Sequence, residues 1–573
     1  MAETPQKPVR FPPGDELSME KRLLLAFGLM AAVLFVTQLF FQPPPPQKTI
    51  KPAERPQAAR AAKPAPTQSA ADGGTQASAQ IMGDAPRRYT VDTEVYRIVF
   101  SNRGGVVESW QLKKYRDGKG KPLELVNTAA QGRVPSPFSL AYKEQKPSVD
   151  LNQALFATRL STDGLQIDFE FASGTTRAKK TFRFLRDSYL SEISSEISEA
   201  GRRLSHYLLW RGGFGDSSVV SAAAAQHTVY FDATKNELVT NDAKAAKNGP
   251  VTASGAFHFA GIQDQYFAAV FLPLDETAVE VQTWQDVVPD AGEQKEQPHV
   301  GVAVRAGERN RFSLFTGPKD IDLLRRVNPK LASLVDFGWF GFLAKPLFLC
   351  LNWVHDHWVH NYGWAIVLVT VGINFLLLPL KLSSLRSMKK MQALQPEIQA
   401  LNEKYKNISL RDPRKAQQNQ ELMELYKKHG VNPMGGCMPL LLQIPFFIAF
   451  YKVLSVAIEL RGASWLWVTD LSQPETLPIR ILPLAMILTQ YVLQKMTPAT
   501  GADPAQQRIM LLMPFLMGFM FYGVSSGLVL YWLTGNLVGI AQQWVMNRMA
   551  AAPSAVQTSK SPAATRGSRA SRK

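Results

Sequence analysis

Apolar residues follow two different patterns along this chain, and the change from one to the other divides it. Leu23 to Phe41 is a run of 19 residues whose clearly polar members are Thr37 and Gln38, with Lys21 and Arg22 before it. A run of that length can cross a hydrocarbon core of roughly 30 Å, so it predicts a membrane anchor at 23–41 behind a short N-terminal segment, 1–22. A cleaved signal peptide is the alternative. The run is long for one, and Pro43 to Pro46 follow with no small-x-small site beside them. Residues 42–86 are rich in Pro, Ala, Gln and Lys and hold no aromatic residue, which predicts a flexible linker.

Residues 87–330 carry a different rhythm. Leu165, Ile167, Phe169 and Phe171 alternate with polar neighbours, as do Val279 and Val281, and Val300, Val302 and Val304. Period-two alternation predicts half-buried strands. Asn102-Arg103-Gly104-Gly105 and Ser173-Gly174 read as turns between them. The expectation is a β-sandwich domain on the far side of the membrane from the N-terminus.

From residue 331 onward apolar runs return. Phe337 to Trp358, within a segment 331–361, reads as an interfacial helix, with Trp339, Trp353 and Trp358 as amphipathic rings. Five runs follow: Trp364–Leu380, Pro439–Ile458, Ile479–Met496, Ile509–Val524 and Leu528–Val545. They predict spans over 362–381, 434–458, 479–497, 509–524 and 527–547, six with the anchor. The segment 382–433 carries ten Lys and Arg, and the tail 548–573 carries six with no acid; the loop 459–478 carries Arg461 alone. The positive-inside rule therefore places 382–433 and both termini in the cytoplasm, although the linker also holds Lys and Arg.

Within 382–433, Met391, Leu394, Ile398, Leu401 and Tyr405 recur at 3,4,3,4 spacing. That seam, the Asp412-Pro413 helix start, and the face formed by Leu422, Leu425, Tyr426 and His429 predict a two-helix hairpin. Composition narrows the class further. Two cysteines exclude a disulfide scaffold, and a net charge of +17 suits an anionic membrane face or nucleic acid.

Motifs for bond-breaking chemistry are weak here. Gly523-Val524-Ser525-Ser526-Gly527 has the G-x-S-x-G form, but a hydrolase elbow needs a strand before it and an acid and a His nearby. His355, His357 and His360 are spaced so that His355 falls on a different helical face from His357, which argues against a metal site. No Walker loop, dinucleotide fingerprint or HExxH occurs, so no cofactor is expected and the chain is not read as an enzyme.

Polar residues inside apolar spans are costly and so are candidates for function. Thr370, Asn374 and Lys381 share one helical face, and Trp532, Asn536, Gly539 and Gln543 form a similar stripe on the last run. Gln490 and Gln494 stack on the fourth span and Gln443 starts the third. Together they predict a hydrated groove open to the cytoplasm, supplied by neutral donors and acceptors rather than a fixed charge. Ordinary hydrogen bonding between helices is the alternative for each of them, worth about 0.6 kcal/mol per contact. Met510, Met513, Met517 and Met520 line the fifth span as either a pliable apolar slide or plain core.

Several of these stretches carry a resemblance. Asn432-Pro433-Met434-Gly435-Gly436-Cys437, Gln494-Lys495-Met496, Gln506-Gln507, Ser526-Gly527-Leu528-Val529-Leu530-Tyr531 and Leu394-Gln395-Pro396 resemble the YidC/Oxa/Alb family of membrane-protein insertases, in its Gram-negative form. Asn102–Gly105 and Gln265-Tyr266-Phe267-Ala268 are similar too. The resemblance implies a five-helix insertase core with an additional anchor, a periplasmic β-supersandwich and a cytoplasmic helical hairpin. It also implies insertion of nascent membrane proteins into the lipid bilayer of the inner membrane, alone or with the Sec translocon, with no nucleotide; the ribosome would meet the hairpin and the basic tail. Thr370 and Trp532 match the family's substrate-contacting groove positions, although the form compared has Tyr at the latter. Asn374 stands where the family pattern has an arginine. A small-molecule transporter or a glycan-binding membrane receptor is the rival class, but no inverted repeat is apparent.

Overall fold

The computed structural model describes residues 80–219, 222–275, 278–290, 295–405, 412, 414–431, 438–497 and 504–551. The expected anchor, nearly all of the linker, the Asn432–Cys437 motif, Pro413 and the tail beyond Ala551 lie outside the described residues. What is described falls into two compact units: 80–345 with 452–462, and 346–451 with 463–551.

The first unit is a β-rich domain. Its strands pair antiparallel into sheets of four, ten and five members. The alternation that predicted strands decides what is buried. Along Thr176–Phe184 the inward positions are Thr176, Ala178, Lys180, Phe182 and Phe184, and along Gln166–Ser173 they include Ile167, Phe169 and Phe171. Phe100 and Trp110 from the four-stranded sheet, Phe182 and Phe271 from the ten-stranded sheet, and Trp210 from the five-stranded sheet meet around Phe138. The three sheets therefore share one aromatic core, each ring contributing roughly 1.5–3 kcal/mol by burial.

A lysine is built into that core. Lys180 is buried, and its ammonium donates to the carbonyls of Gly104 at 2.7 Å, Phe138 at 2.8 Å and Gly105 at 3.3 Å. The Asn102–Gly105 turn is thus an acceptor cradle. Gly104 and Gly105 both have positive φ, and a Cβ on Gly104 would lie 2.7 Å from the Asn152 carbonyl oxygen. Burial lowers the Lys180 pKa to about 7.

After the strands come α1 (Ile321–Val327), capped by Asp320, and α2 (Gly341–His357). Trp339, Phe342, Leu349 and Trp353 are exposed on and just before α2. His355 stacks on Tyr362 at 3.9 Å and His357 on Trp353 at 5.1 Å, so neighbouring aromatic rings occupy both imidazoles.

The second unit is helical: α3 (Tyr362–Leu376), α4 (Leu378–Ala393), α5 (Gln395–Lys404), α6 (Arg414–Lys428), α7 (Met438–Val456), α8 (Ile481–Met496), α9 (Pro504–Phe521) and α10 (Ser526–Ala551). The run expected as one span to Leu380 is broken at Leu377, and α3 and α4 meet at 53°. Pro379 explains the break, because it brings no N–H and its ring clashes with the carbonyl four residues earlier. Among the described residues no single helix is long and apolar enough to cross a membrane; the bent α3–α4 pair passes that test together, on length and composition. The shortfall has a cause. α8 has 16 residues, about 24 Å, and α10 is diluted by Thr534, Asn536, Gln542 and Gln543.

Met391, Leu394 and Ile398 from the heptad seam join Leu422, Tyr426 and Val431 in one buried cluster. Lys404 pairs with Glu421 at 2.9 Å and His429 lies 3.9 Å from Glu397, so α5 and α6 run antiparallel. The Asp412 carboxylate accepts from the Arg414 N–H at 2.9 Å and starts α6. Gly523–Gly527 forms the turn into α10, where Ser526 donates through both N–H and hydroxyl to the Gln473 carbonyl.

Candidate functional site

α10 packs against both α3 and α8, and α8 also packs against α9. The polar residues expected to line one groove sit on these helices, and the structure sorts them into two hydrogen-bonded groups.

The first group lies at the α3–α4 bend. Thr370 is fully buried, and its hydroxyl bonds back to the Ile366 carbonyl at 2.6 Å. One turn on, the Asn374 amide donates to the Thr370 carbonyl at 2.8 Å. That bond leaves the Asn374 Oδ1 as an acceptor, and it takes the Lys381 Nζ at 2.6 Å. From α10, Gln542 reaches the Asn374 carbonyl at 3.5 Å. Spacing pointed to Thr370, Asn374 and Lys381 as one face but missed Gln542. The reading without a fixed charge also missed that Lys381 crosses the bend to the Asn374 carboxamide. A lysine in the first turn of a helix projects back over the turn before it, which is the signal that could have shown this.

The second group joins α8 to α10. The Trp532 indole donates to Gln490 Oε1 at 3.2 Å, and Asn536 donates to the Met486 carbonyl and the Thr489 hydroxyl, each at 3.3 Å. Trp532 also meets Phe447 of α7 at 5.0 Å and Phe521 of α9 at 5.1 Å, while Tyr531 stacks on Phe450 at 4.5 Å. Four helices therefore converge on Trp532 and its neighbour.

The remaining expected residues are more scattered. Gln443 is exposed on α7 and Gln494 half-buried on α8. Gln543 is buried and donates within its own helix to Asn547 at 3.0 Å. Met513 and Met517 are half-buried and Met520 exposed on α9, which also contains Met510.

Sequence patterning gave no warning of Glu475. It is buried, accepts the Trp467 indole at 2.7 Å and caps α8 through the Leu482 N–H at 2.9 Å.

Residues 88–350 match the family described as the YidC periplasmic domain, and residues 353–553 the family described as the 60Kd inner membrane protein. The membrane protein insertase YidC of Geotalea daltonii is 33% identical over 541 residues, covering 92% of this chain and 99% of the relative. The chain belongs to the YidC family. The YidC insertase of Syntrophus aciditrophicus is likewise 33% identical, over 93% of this chain and 100% of its own length. A solved structure described as an active YidC insertase with its first transmembrane domain resolved covers 81% of this chain and 94% of its own, at 18% identity and a TM-score of 0.35. In this YidC-family chain, position 374 is an asparagine whose carboxamide holds a lysine.

Proposed function

We propose that the chain is a membrane protein insertase and chaperone, inserting and helping to fold nascent inner-membrane proteins alone or with the Sec translocon. The observation that carries this reading is its 33% identity to an insertase across 92% of its length. In this account the anchor and five C-terminal segments span the membrane with both termini inside. The bent α3–α4 pair reaches across where a straight apolar helix would. The β-rich domain is periplasmic and the α5–α6 hairpin cytoplasmic, where it and the basic tail meet the ribosome.

The two polar groups, together with the more scattered Gln443, Gln494 and Gln543, then form the path for a substrate's hydrophilic segment. A charge at the centre of hydrocarbon costs roughly 2.5–3.5 kcal/mol on insertion scales, and hydrogen-bonding side chains shorten that barrier. Thr370, Asn374, Gln443, Gln490, Gln494, Trp532, Asn536 and Gln543 line the path. Met510, Met513, Met517 and Met520 offer the pliable surface along which the apolar segment leaves for lipid, where its burial drives the step. No nucleotide or cofactor takes part.

Reconstitution tests this. The full chain in liposomes, given ribosome-bound nascent chains of a small single-span protein, makes the substrate's translocated tail resistant to external protease. A tail that stays as accessible as in empty liposomes overturns the reading.

A further inference from the structure

The loop between α7 and α8 ties the starts of three helices together. Asn361, which caps α3, donates through its side-chain amide to the Ser464 carbonyl at 2.8 Å. Gly527, at the start of α10, donates its N–H to the Leu471 carbonyl at 2.8 Å, and Glu475 caps α8 through the Leu482 N–H. Between these contacts the chain makes a tight turn. The N–H groups of Trp465 and Val468 each donate to the other residue's carbonyl at 2.8 Å, which leaves Leu466 and Trp467 as a two-residue hairpin loop.

Leucine is a poor residue for the first place in that loop. Leu466 has a φ of +50°, in the left-handed region, where a bulky side chain is strained and such turns favour glycine, asparagine or aspartate. Leu466 is also 65% exposed, and Trp467 beside it 41%. Facing water, the turn would combine backbone strain with two exposed apolar side chains. The Trp467 polar group is already occupied, since its indole N–H donates to Glu475 Oε1 at 2.7 Å. No residue between Arg461 and Asp470 is charged. The apolar surface runs on from the turn: the Trp465 ring meets those of Trp467 at 5.9 Å and Trp364 at 5.6 Å, and Trp364 is exposed on α3. α3 belongs to the bent pair long and apolar enough to cross a membrane. Where the same loop enters α8, Ile479 and Ile481 are exposed as well.

We propose that the Leu466–Trp467 turn is a lipid-inserted wedge, with Leu466 among the acyl chains and Trp467 at the headgroup boundary, seating the N-terminal ends of α3, α8 and α10 in the outer leaflet. The bilayer is the occupant because the patch is uncharged and continues through Trp465 to the exposed Trp364 of α3. Burial of the two side chains in the interface offsets the strain at Leu466, and a tryptophan ring suits the headgroup level. Through Ser464, Leu471 and Glu475 the turn then sets the depth of three helix starts. The proposal rests on the membrane reading of α3 and adds a lipid contact to it; it does not depend on insertion activity.

The test uses the full chain in lipid nanodiscs, with Cys350 and Cys437 replaced by serine. Spin labels are placed one at a time by Leu466→Cys, by Leu368→Cys on the exposed side of α3, and by Leu185→Cys on the β-rich domain as the water reference. Oxygen, which concentrates among acyl chains, and a water-soluble nickel chelate report the surroundings of each label. Position 466 should match 368, reached by oxygen and hidden from nickel, and differ from 185. Nickel access at 466 equal to that at 185 overturns the proposal. So does shielding from both reagents, which a covering protein segment would produce. Nickel access at 368 equal to that at 185 refutes the membrane reading of α3 and the wedge with it, so the two failures are distinguishable. Leu466→Asp gives a second readout, opposite in sign for the two surroundings. Aspartate suits a left-handed turn in water and would raise the thermal midpoint there. In lipid it should lower the midpoint in nanodiscs by about 2–4 °C, and a rise overturns the proposal.

Discussion

Arg461 lies on Asp216, 245 residues earlier in the chain, with side chains 8% and 1% exposed. The guanidinium also donates to the Arg116 carbonyl and lies 5.4 Å from the Phe267 ring. Asp216 is placed in turn by Asp264, which accepts its N–H at 2.7 Å and the N–H groups of Tyr266 and Phe267 at 2.8 and 2.6 Å. A Cβ on Gly215 would fall 2.0 Å from Asp264 Oδ2, so the glycine is needed for the approach. Nearby, Gln265 donates to the Ser455 carbonyl at 2.8 Å. The Gln265–Ala268 stretch thus belongs to a network that holds residues 452–462 within the β-rich unit.

Removing one partner of a buried pair strands the other charge, at a cost of about 3–5 kcal/mol. Asp216→Ala should therefore free residues 452–462, read as faster amide hydrogen exchange there in the full protein. Replacing both partners, Asp216→Leu with Arg461→Met, should be milder than the single change. Exchange in Asp216→Ala as slow as in the parent would show that the pair does not hold the segment.

Two buried bases make the β-rich domain sensitive to pH in separate windows. His206 is buried, bonded to the Ser195 hydroxyl at 2.7 Å and the Leu204 carbonyl at 2.9 Å, and burial lowers its pKa to about 4. The unfolded chain then binds the proton more readily. Its contribution to stability is complete above pH about 6.5 and is lost as pH falls toward 4, up to about 3 kcal/mol. Lys180 behaves likewise at higher pH: its folded pKa of about 7 makes stability rise from pH 7 toward 10.5. Denaturation midpoints followed by tryptophan fluorescence should climb through both windows. His206→Gln should shrink the acid climb, to which the burial-lowered His227 and His299 also contribute, while leaving the alkaline one.

Gly363 sits under Trp465, where a Cβ would come within 2.2 Å of the indole ring. Gly363→Ala must displace that ring, and overpacking of this kind costs about 1–3 kcal/mol. Gly372, two to three turns along the same helix, has open space around its Cβ position. Gly372→Ala should be neutral or stabilising by roughly 0.5–1 kcal/mol, since glycine is the poorer helix former. Thermal unfolding of the two variants in detergent should separate them in that order, and equal midpoints would contradict the close packing.

Much of this architecture was readable from residue patterns, and the exceptions share a cause. Alternation marked the strands because one face of each is buried, as at Ile167, Phe169 and Phe171. The same alternation put Lys180 between Ala178 and Phe182 on the inward side, yet a lysine there reads as an error until three carbonyls are found around it. Periodicity grouped Thr370, Asn374 and Lys381, because all three lie on one continuous stretch of chain. It could not show that Gln490 meets Trp532 or that Asn536 meets Thr489, since those contacts depend on how α8 and α10 dock. Glu475 escaped notice for a similar reason. Its partners, Trp467 and the Leu482 N–H, come together when the loop before α8 folds.

If the proposed function holds, nascent membrane proteins pass along the helices that converge on Trp532. Site-specific photocrosslinking during insertion can detect that passage. A photoreactive residue replaces Trp532 or Gln443 in one set of proteins, and exposed Leu185 of the β-rich domain in a control. Ribosome-bound nascent chains of a single-span substrate are then stalled with the apolar segment just emerged. That segment should crosslink from 532 and 443, with the crosslinks lost when the chain is released and fully inserted, and none should form from 185. Insertion that proceeds normally with no crosslink from 532 or 443 would contradict the proposed function.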